Sequence, residues 1–192
     1  AKLVMRSGTE RPTYALIIVT VATMTAWILA MLLGLKPIAF LPLKLVLWQW
    51  ILLRLIFSFC GVFGFSIMFN SPIQLATAAG LIGAVSNTLR LELIDQLTLP
   101  PAAAAFIGAF IAGILASTLK GVAGYPRISL TVPSIVIMVP GLYLYKGFYN
   151  LGIMALTAAA SWLASALLII LALPLGLIFA RIITDKTFRY CT

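Results

Sequence analysis

Apolar runs close to the length of a bilayer crossing recur along this chain, the clearest being Tyr14 to Leu35, Leu45 to Phe69, Ala102 to Leu119 and Leu151 to Ile183. An α-helix needs about 20 apolar residues to cross a hydrocarbon core of about 30 Å. The runs lack the strict alternation of membrane β-strands, which speaks against a barrel. Backbone groups in hydrocarbon must be satisfied within the protein. The sequence therefore predicts an all-α fold, a polytopic transmembrane helical bundle forming a single domain over residues 1–192. Composition agrees: 63% of the residues are hydrophobic and 9% charged, against roughly 45–50% and about 25% in soluble domains.

About six membrane segments are expected, at 14–35, 45–69, 73–94, 102–119, 132–150 and 151–183. The first stops at Lys36-Pro37, and an interfacial connector leads to the second, which carries Trp48 and Trp50 near its start, where interfacial aromatics gather. The second ends at the turn Asn70-Ser71-Pro72. The third is the most polar, loses its apolar character after Leu89 and is expected to tilt into protein; Asp95 and Pro100-Pro101 close it. A polar loop, 120–131, follows the fourth, and the last is long enough to need a kink at Pro174. The chain opens at Ala1 without an initiator methionine, which fits processing or one part of a longer polypeptide. Its first run exceeds the ~7–15 residues of a signal-peptide core and reads as a retained helix.

The fifth segment is broken. Pro133 and Pro140-Gly141 bracket six residues, Ser134 to Val139. Proline removes a backbone donor and clashes with the preceding turn, at a cost of about 3 kcal/mol in a helix interior. Non-helical backbone at membrane depth survives only where protein or a water-filled cavity satisfies it. Such a segment either crosses or re-enters. If it crosses, both termini are cytoplasmic, with Lys2, Arg6, Arg11, Lys120, Arg127, Arg181, Lys186 and Arg189 inside against Lys36, Lys44, Arg90 and Lys146 outside, eight to four. If it does not, the split is six to six. The positive-inside rule prefers the crossing.

Charge and residue types exclude several functions. The net charge of +9 reflects basic residues at helix ends facing anionic lipid and the cytoplasm, so the partner is the bilayer and not nucleic acid. Two cysteines, Cys60 and Cys191, suggest neither a disulfide framework nor a metal site, and no cofactor is implied. Histidine is absent, which removes Ser-His-Asp hydrolases and His-ligated zinc proteases. The chain does not read as an enzyme. No internal repeat is evident, so a second transporter half would lie on a partner.

Gly83, Asn87 and Arg90, at i, i+4 and i+7, put a glycine, an amide and a guanidinium on one helix stripe, against which a helix or a small ligand could sit. The alternative is that Arg90 snorkels and Asn87 makes one interhelical hydrogen bond. Arg54 lies ten residues into the second segment, where it should face a cavity, a partner or an anionic substrate unless the helix starts later, near Trp50. Ala105, Ala109, Gly113 and Ser117, beside Gly108, Ala112 and Ala116, form small-residue stripes that let backbones approach closely, in a tight bundle or a homo-oligomer. A broken helix exposes N–H groups that can bind a carboxylate. Pro133, Pro140 and Gly141 would shape it, and Tyr143, Tyr145 and Lys146 could line it; the alternative is a structural kink. Acids are scarce, at Glu10, Glu92, Asp95 and Asp185, so ion coupling needs a partner's residues or a deeper placement of Glu92 and Asp95.

Phe69-Asn70-Ser71-Pro72, the Gly83, Asn87, Arg90 stripe, the small-residue helix and Val132-Pro133 through Pro140-Gly141 together resemble the C-terminal half of the threonine/serine exporter family over roughly Ile51 to Ile183. That half also occurs as a separate small subunit, as in two-component bacterial succinate exporters. The resemblance implies a bacterial cytoplasmic-membrane exporter subunit for small carboxylate-bearing solutes, threonine/serine or a dicarboxylate such as succinate. It implies drive by an ion gradient and a partner half. Substrate binding would fall to Asn87, Arg90, Pro133, Pro140, Gly141 and Tyr145, with Arg54, Asn70, Gly83 and Lys146 as further path residues. Asn87 stands where some relatives carry histidine, and 14–35 has no counterpart in the shortest subunits. The rival reading is a non-transporting membrane scaffold whose activity resides in a partner.

Overall fold

The computed structural model describes residues 45–185, with the side chains of 120–123 set aside, and residues 21–34 apart from 23 and 27. Residues 14–20, 23, 27 and 35 of the expected 14–35 segment lie outside the described residues. Six helices follow residue 45: α1 (Leu47–Met68), α2 (Ile73–Leu97), α3 (Pro101–Ala123), α4 (Arg127–Val136), α5 (Gly141–Gly152) and α6 (Leu156–Thr184). Among the described residues there is no strand, and the fold is all-α as expected. Helices α1, α3 and α6 are long and apolar enough to cross a membrane, and the pair α4 and α5 makes a fourth span if its two pieces are one. Helix α2, 25 residues long, does not reach that apolarity alone; its sequence carries the polar stripe.

The chain divides into two compact units, residues 1–43 with 142–163, and residues 44–141 with 164–192. In the first, Tyr143 packs its ring 5.5 Å from that of Trp162, and Lys146 lays its ammonium 4.4 Å from the centre of the same indole. Gly147 gives Leu163 room, since a methyl there would fall 2.6 Å from Leu163 Cδ2.

The second unit holds the α1–α2 hairpin, α3, α4 and most of α6. The hairpin turn is a Schellman cap: Asn70 takes φ 58°, its N–H donates to the Ile67 carbonyl, and the Ser71 N–H donates to Ser66. Asparagine tolerates that left-handed conformation, and Pro72 behind it cannot continue α1. Pro101 opens α3 at the first helical position, where its missing N–H costs nothing. Ala105, Ala109, Ala112 and Ala116 are fully buried, and the small stripes do bring backbones together. A methyl on Gly176 of α6 would meet the Phe106 carbonyl of α3 at 2.5 Å, and one on Gly113 would meet Ala180 Cβ at 2.6 Å. Pro174 stands inside α6, which runs on through it.

Helix α4 corrects one expectation. Pro133 does not end it: the helix runs through Pro133 to Val136, and the break falls on 137–140. A proline in the second turn of a ten-residue helix gives up one hydrogen bond without dividing the segment, whereas Pro140 stops any continuation. Two hydroxyls bond carbonyls of the same helix, Thr131 to Arg127 at 3.2 Å and Ser134 to Leu130 at 2.5 Å.

The α3–α6 contact yields a test. Gly176→Val should destabilise the protein by about 1–3 kcal/mol, because backbone atoms cannot move aside as a side chain can. Gly64→Ala, which meets nothing within 4 Å, is the control. Thermal unfolding in detergent should lower the midpoint for the first and not for the second.

Candidate functional site

The break is where α4 runs out of regular hydrogen bonds. Its last turn tightens, with Met138 N–H donating to Ile135 at 2.9 Å and Val139 N–H to Val136 at 3.1 Å. Gly141 N–H closes the turn on the Val139 carbonyl at 2.8 Å. The Met138 carbonyl receives Arg90 Nη1 from α2 at 3.1 Å, and the Met138 side chain is fully buried. A cation at a helix C-terminus opposes the partial negative charge of the helix dipole. Arg90 thus serves the broken segment directly, with more to do than snorkel.

Glycines make the room. A methyl on Gly108 of α3 would crowd Arg90 Cβ and the Ser86 carbonyl at 3.2 Å each and Met138 Sδ at 3.3 Å. On Gly83 it would come within 2.5 Å of Val62 Cγ2 and 3.1 Å of the Ser134 carbonyl. On Gly61 of α1 it would strike Ile137 Cδ1 at 2.9 Å. The side chains of the break, Ile137 and Met138, therefore pack where Gly61 of α1 and Gly108 of α3 leave room for them, beside Arg90 of α2. Ser134, fully buried, shares its single hydroxyl hydrogen between the Leu130 carbonyl and, at 3.1 Å, the Ala79 carbonyl of α2, which ties α4 to α2 just before the break.

Asn87 lies one turn of α2 beyond Gly83. Its Nδ2 donates to Ser58 Oγ of α1 at 2.8 Å, the interhelical bond of the alternative reading. Its Oδ1 is buried without a hydrogen-bond partner, and the residue is 4% exposed. An acceptor left unmade in a dry interior costs free energy, and such groups commonly mark a site that takes a water or a ligand.

Of the residues expected at the site, Gly83, Asn87 and Arg90 are brought together with α4, and Pro133 and Pro140 flank the carbonyl that Arg90 holds. Gly141 opens α5, and a methyl on it would meet open space. Asn70 is engaged in the hairpin cap. Tyr145 and Lys146 belong to the other unit, where Tyr145 is exposed and stacks on Tyr149 at 6.4 Å. Arg54 is the eighth residue of α1, so that helix does not start late. Its Nη1 donates to Glu92 Oε1 at 2.6 Å, its Nη2 pairs with Asp95, and its guanidinium lies 5.6 Å from the Trp50 ring centre. Sequence reasoning missed Ser58 and Ser134; the signal available for Ser58 was its position four residues after Arg54, on the same helix face. Among the described residues no group of acids, histidines or cysteines could hold a metal.

The family model described as Threonine/Serine exporter, ThrE, matches residues 54–183. No curated protein and no solved structure matches the chain.

Removing the cap should loosen the break. Arg90→Ala leaves the Met138 carbonyl without its charged donor, a loss of about 1.5–3 kcal/mol for a bond of this class. Amide hydrogen exchange in detergent or nanodiscs should then rise in peptides covering 137–141; exchange identical to that of the unaltered protein would sink the capping role.

Proposed function

The chain belongs to the threonine/serine exporter family, and from that premise we propose that it is the membrane subunit through which a small carboxylate-bearing solute leaves the cytoplasm, by secondary-active transport and together with a partner half. It is an integral membrane transporter of the threonine/serine exporter type, as its apolar helices and the match over 54–183 indicate. The finer reading places it in a bacterial cytoplasmic membrane with both termini inside, and it gives the chain no catalytic step.

One observation carries the reading: half-buried Arg90 puts its guanidinium on a backbone carbonyl of the break, and Asn87, one turn back on α2, is buried with an amide oxygen that lacks a donor. The solute's carboxylate competes with the Met138 carbonyl for Arg90, since a full negative charge is the stronger acceptor. A ligand donor, the ammonium or hydroxyl of threonine or serine, satisfies Asn87 Oδ1. A dicarboxylate such as succinate offers no such donor and relies on its charge. Capture of Arg90 releases the end of α4, so binding and movement of the broken segment are one event. Pro133, Pro140, Gly83 and the glycines around the break shape the path.

Efflux of labelled threonine, serine and succinate from proteoliposomes, with the chain alone and with a candidate partner half, tests the proposal. Arg90→Ala should lower efflux of the transported solute at least tenfold. Fluxes untouched by that substitution would defeat the residue assignment, and absence of any flux in both preparations would defeat the transport role.

A further inference from the structure

Where the start of α4 meets the end of α6, positive charge outweighs negative. Arg127 opens α4 and reaches across to α6, Nη1 donating to Thr184 Oγ1 at 3.3 Å and Nη2 to the Leu177 carbonyl at 3.4 Å. Both acceptors are neutral, and both bonds are longer than the ~2.7–3.2 Å of well-made N–H···O bonds. Thr184 gives its own hydroxyl hydrogen to the Ala180 carbonyl at 2.7 Å. Gly113 of α3 makes the space, since a methyl on it would stand 3.1 Å from Arg127 Nη2. Arg181, one turn before Asp185 on α6, brings a second guanidinium; its Nε pairs with Asp185 at 3.8 Å, and its charge acts on Arg127 more strongly than that of Asp185. Two cations against one acid leave this corner with an excess positive charge.

Two further features point to what answers that charge. Pro126 caps α4 without a side-chain bond, and the first turn carries no acid, so the dipole end of the helix, worth about half a positive charge, adds to the two guanidiniums. The flanks are apolar. Ile128, next to Arg127, is 69% exposed, and Ile178 and Ile182, on the same stripe of α6 as Arg181, are exposed as well. Groups that attract an anion and groups that attract hydrocarbon thus share one edge of the protein. A free phosphate meets only the first of these needs; a phospholipid meets both. The positive-inside rule assigns this edge to the cytoplasmic face, whose leaflet carries anionic headgroups.

We propose that Arg127 and Arg181 hold the phosphate of one anionic phospholipid, with its acyl chains lying along Ile128, Ile178 and Ile182. A phosphate is a stronger acceptor than the hydroxyl and carbonyl that Arg127 now holds at long range, and the planar guanidinium suits two of its oxygens at once. A headgroup with a single negative charge brings the corner to neutrality. Because Arg127 belongs to α4 and Arg181 to α6, the same phosphate fastens the half-helix to its neighbour at the end opposite the break. This differs from the general attraction of basic helix ends for an anionic bilayer: it is one headgroup, held at one place. Nothing in the site depends on which solute is exported.

Native mass spectrometry of the full chain in neutral detergent, titrated with phosphatidylglycerol, phosphatidylcholine or inorganic phosphate, tests the site. One phosphatidylglycerol should be retained about tenfold more tightly than phosphatidylcholine. Arg127→Gln combined with Arg181→Gln should bring the two lipids level. Arg127 also bonds α6, so that double variant could fail to fold; Arg181→Gln alone changes a side chain that is 52% exposed, and should still weaken retention about threefold with an unaltered circular dichroism spectrum. Lys146→Gln, on α5, should change nothing. Equal retention of the two lipids by the unaltered protein overturns the proposal, as does undiminished retention in Arg181→Gln. An equal loss in Lys146→Gln marks diffuse attraction and overturns it too. Inorganic phosphate bound as tightly as phosphatidylglycerol marks a free-anion site and overturns the lipid assignment.

Discussion

A backbone carbonyl released inside a bilayer can turn only to the protein, and the arrangement around the broken segment follows from that constraint. Once Pro140 stops α4, the Met138 carbonyl needs a donor, and Arg90 is the long cationic side chain within reach. For Arg90 to reach it, α3 must come close, which Gly108 permits, and the break must sit low between α1 and α2, which Gly61 and Gly83 permit. The proline, the arginine and three glycines on three helices thus answer one unmet hydrogen bond.

The seam between α1 and α2 adds a second polar feature with a different logic. At the break a single cation is shared between backbone and solute. At the other end of the seam a single cation is shared between two acids, and the imbalance is of charge where at the break it is of hydrogen bonds. Asn87 ties the same seam one turn before Arg90, through its bond to Ser58.

Much of the architecture was legible in the residues because the relevant physics is local. Apolar length marks spans, Pro140 marks the break, and alanine and glycine at four-residue spacing mark close helix packing; all three reappear in the fold. Pro133 was misjudged because a proline's penalty depends on its place: in a short helix it removes one bond and leaves the rest. The acids that pair with Arg54 were not legible, since 38 and 41 residues separate them from it and only the register of the hairpin brings them level. Ser58 was hidden for the opposite reason, being an unremarkable polar residue in an apolar helix until Asn87 lies across from it. The stripe of Gly83, Asn87 and Arg90 could be read as a stripe, but what it faced could not, because helix periodicity fixes which residues share a side and not which neighbour meets them.

The alanine and glycine lining of α3 has one more consequence. Alanine and glycine have no rotamers, so where α3 meets α6 at Gly113, Ala180 and Gly176 those residues themselves offer no alternative side-chain positions. The residues at the break are of another kind: Ile137 and Met138 have flexible side chains with several low-energy shapes. Conformational freedom in this protein is therefore unevenly distributed, with α3 and this part of α6 behaving as a fixed frame and the adaptable side chains concentrated where the helix is already interrupted.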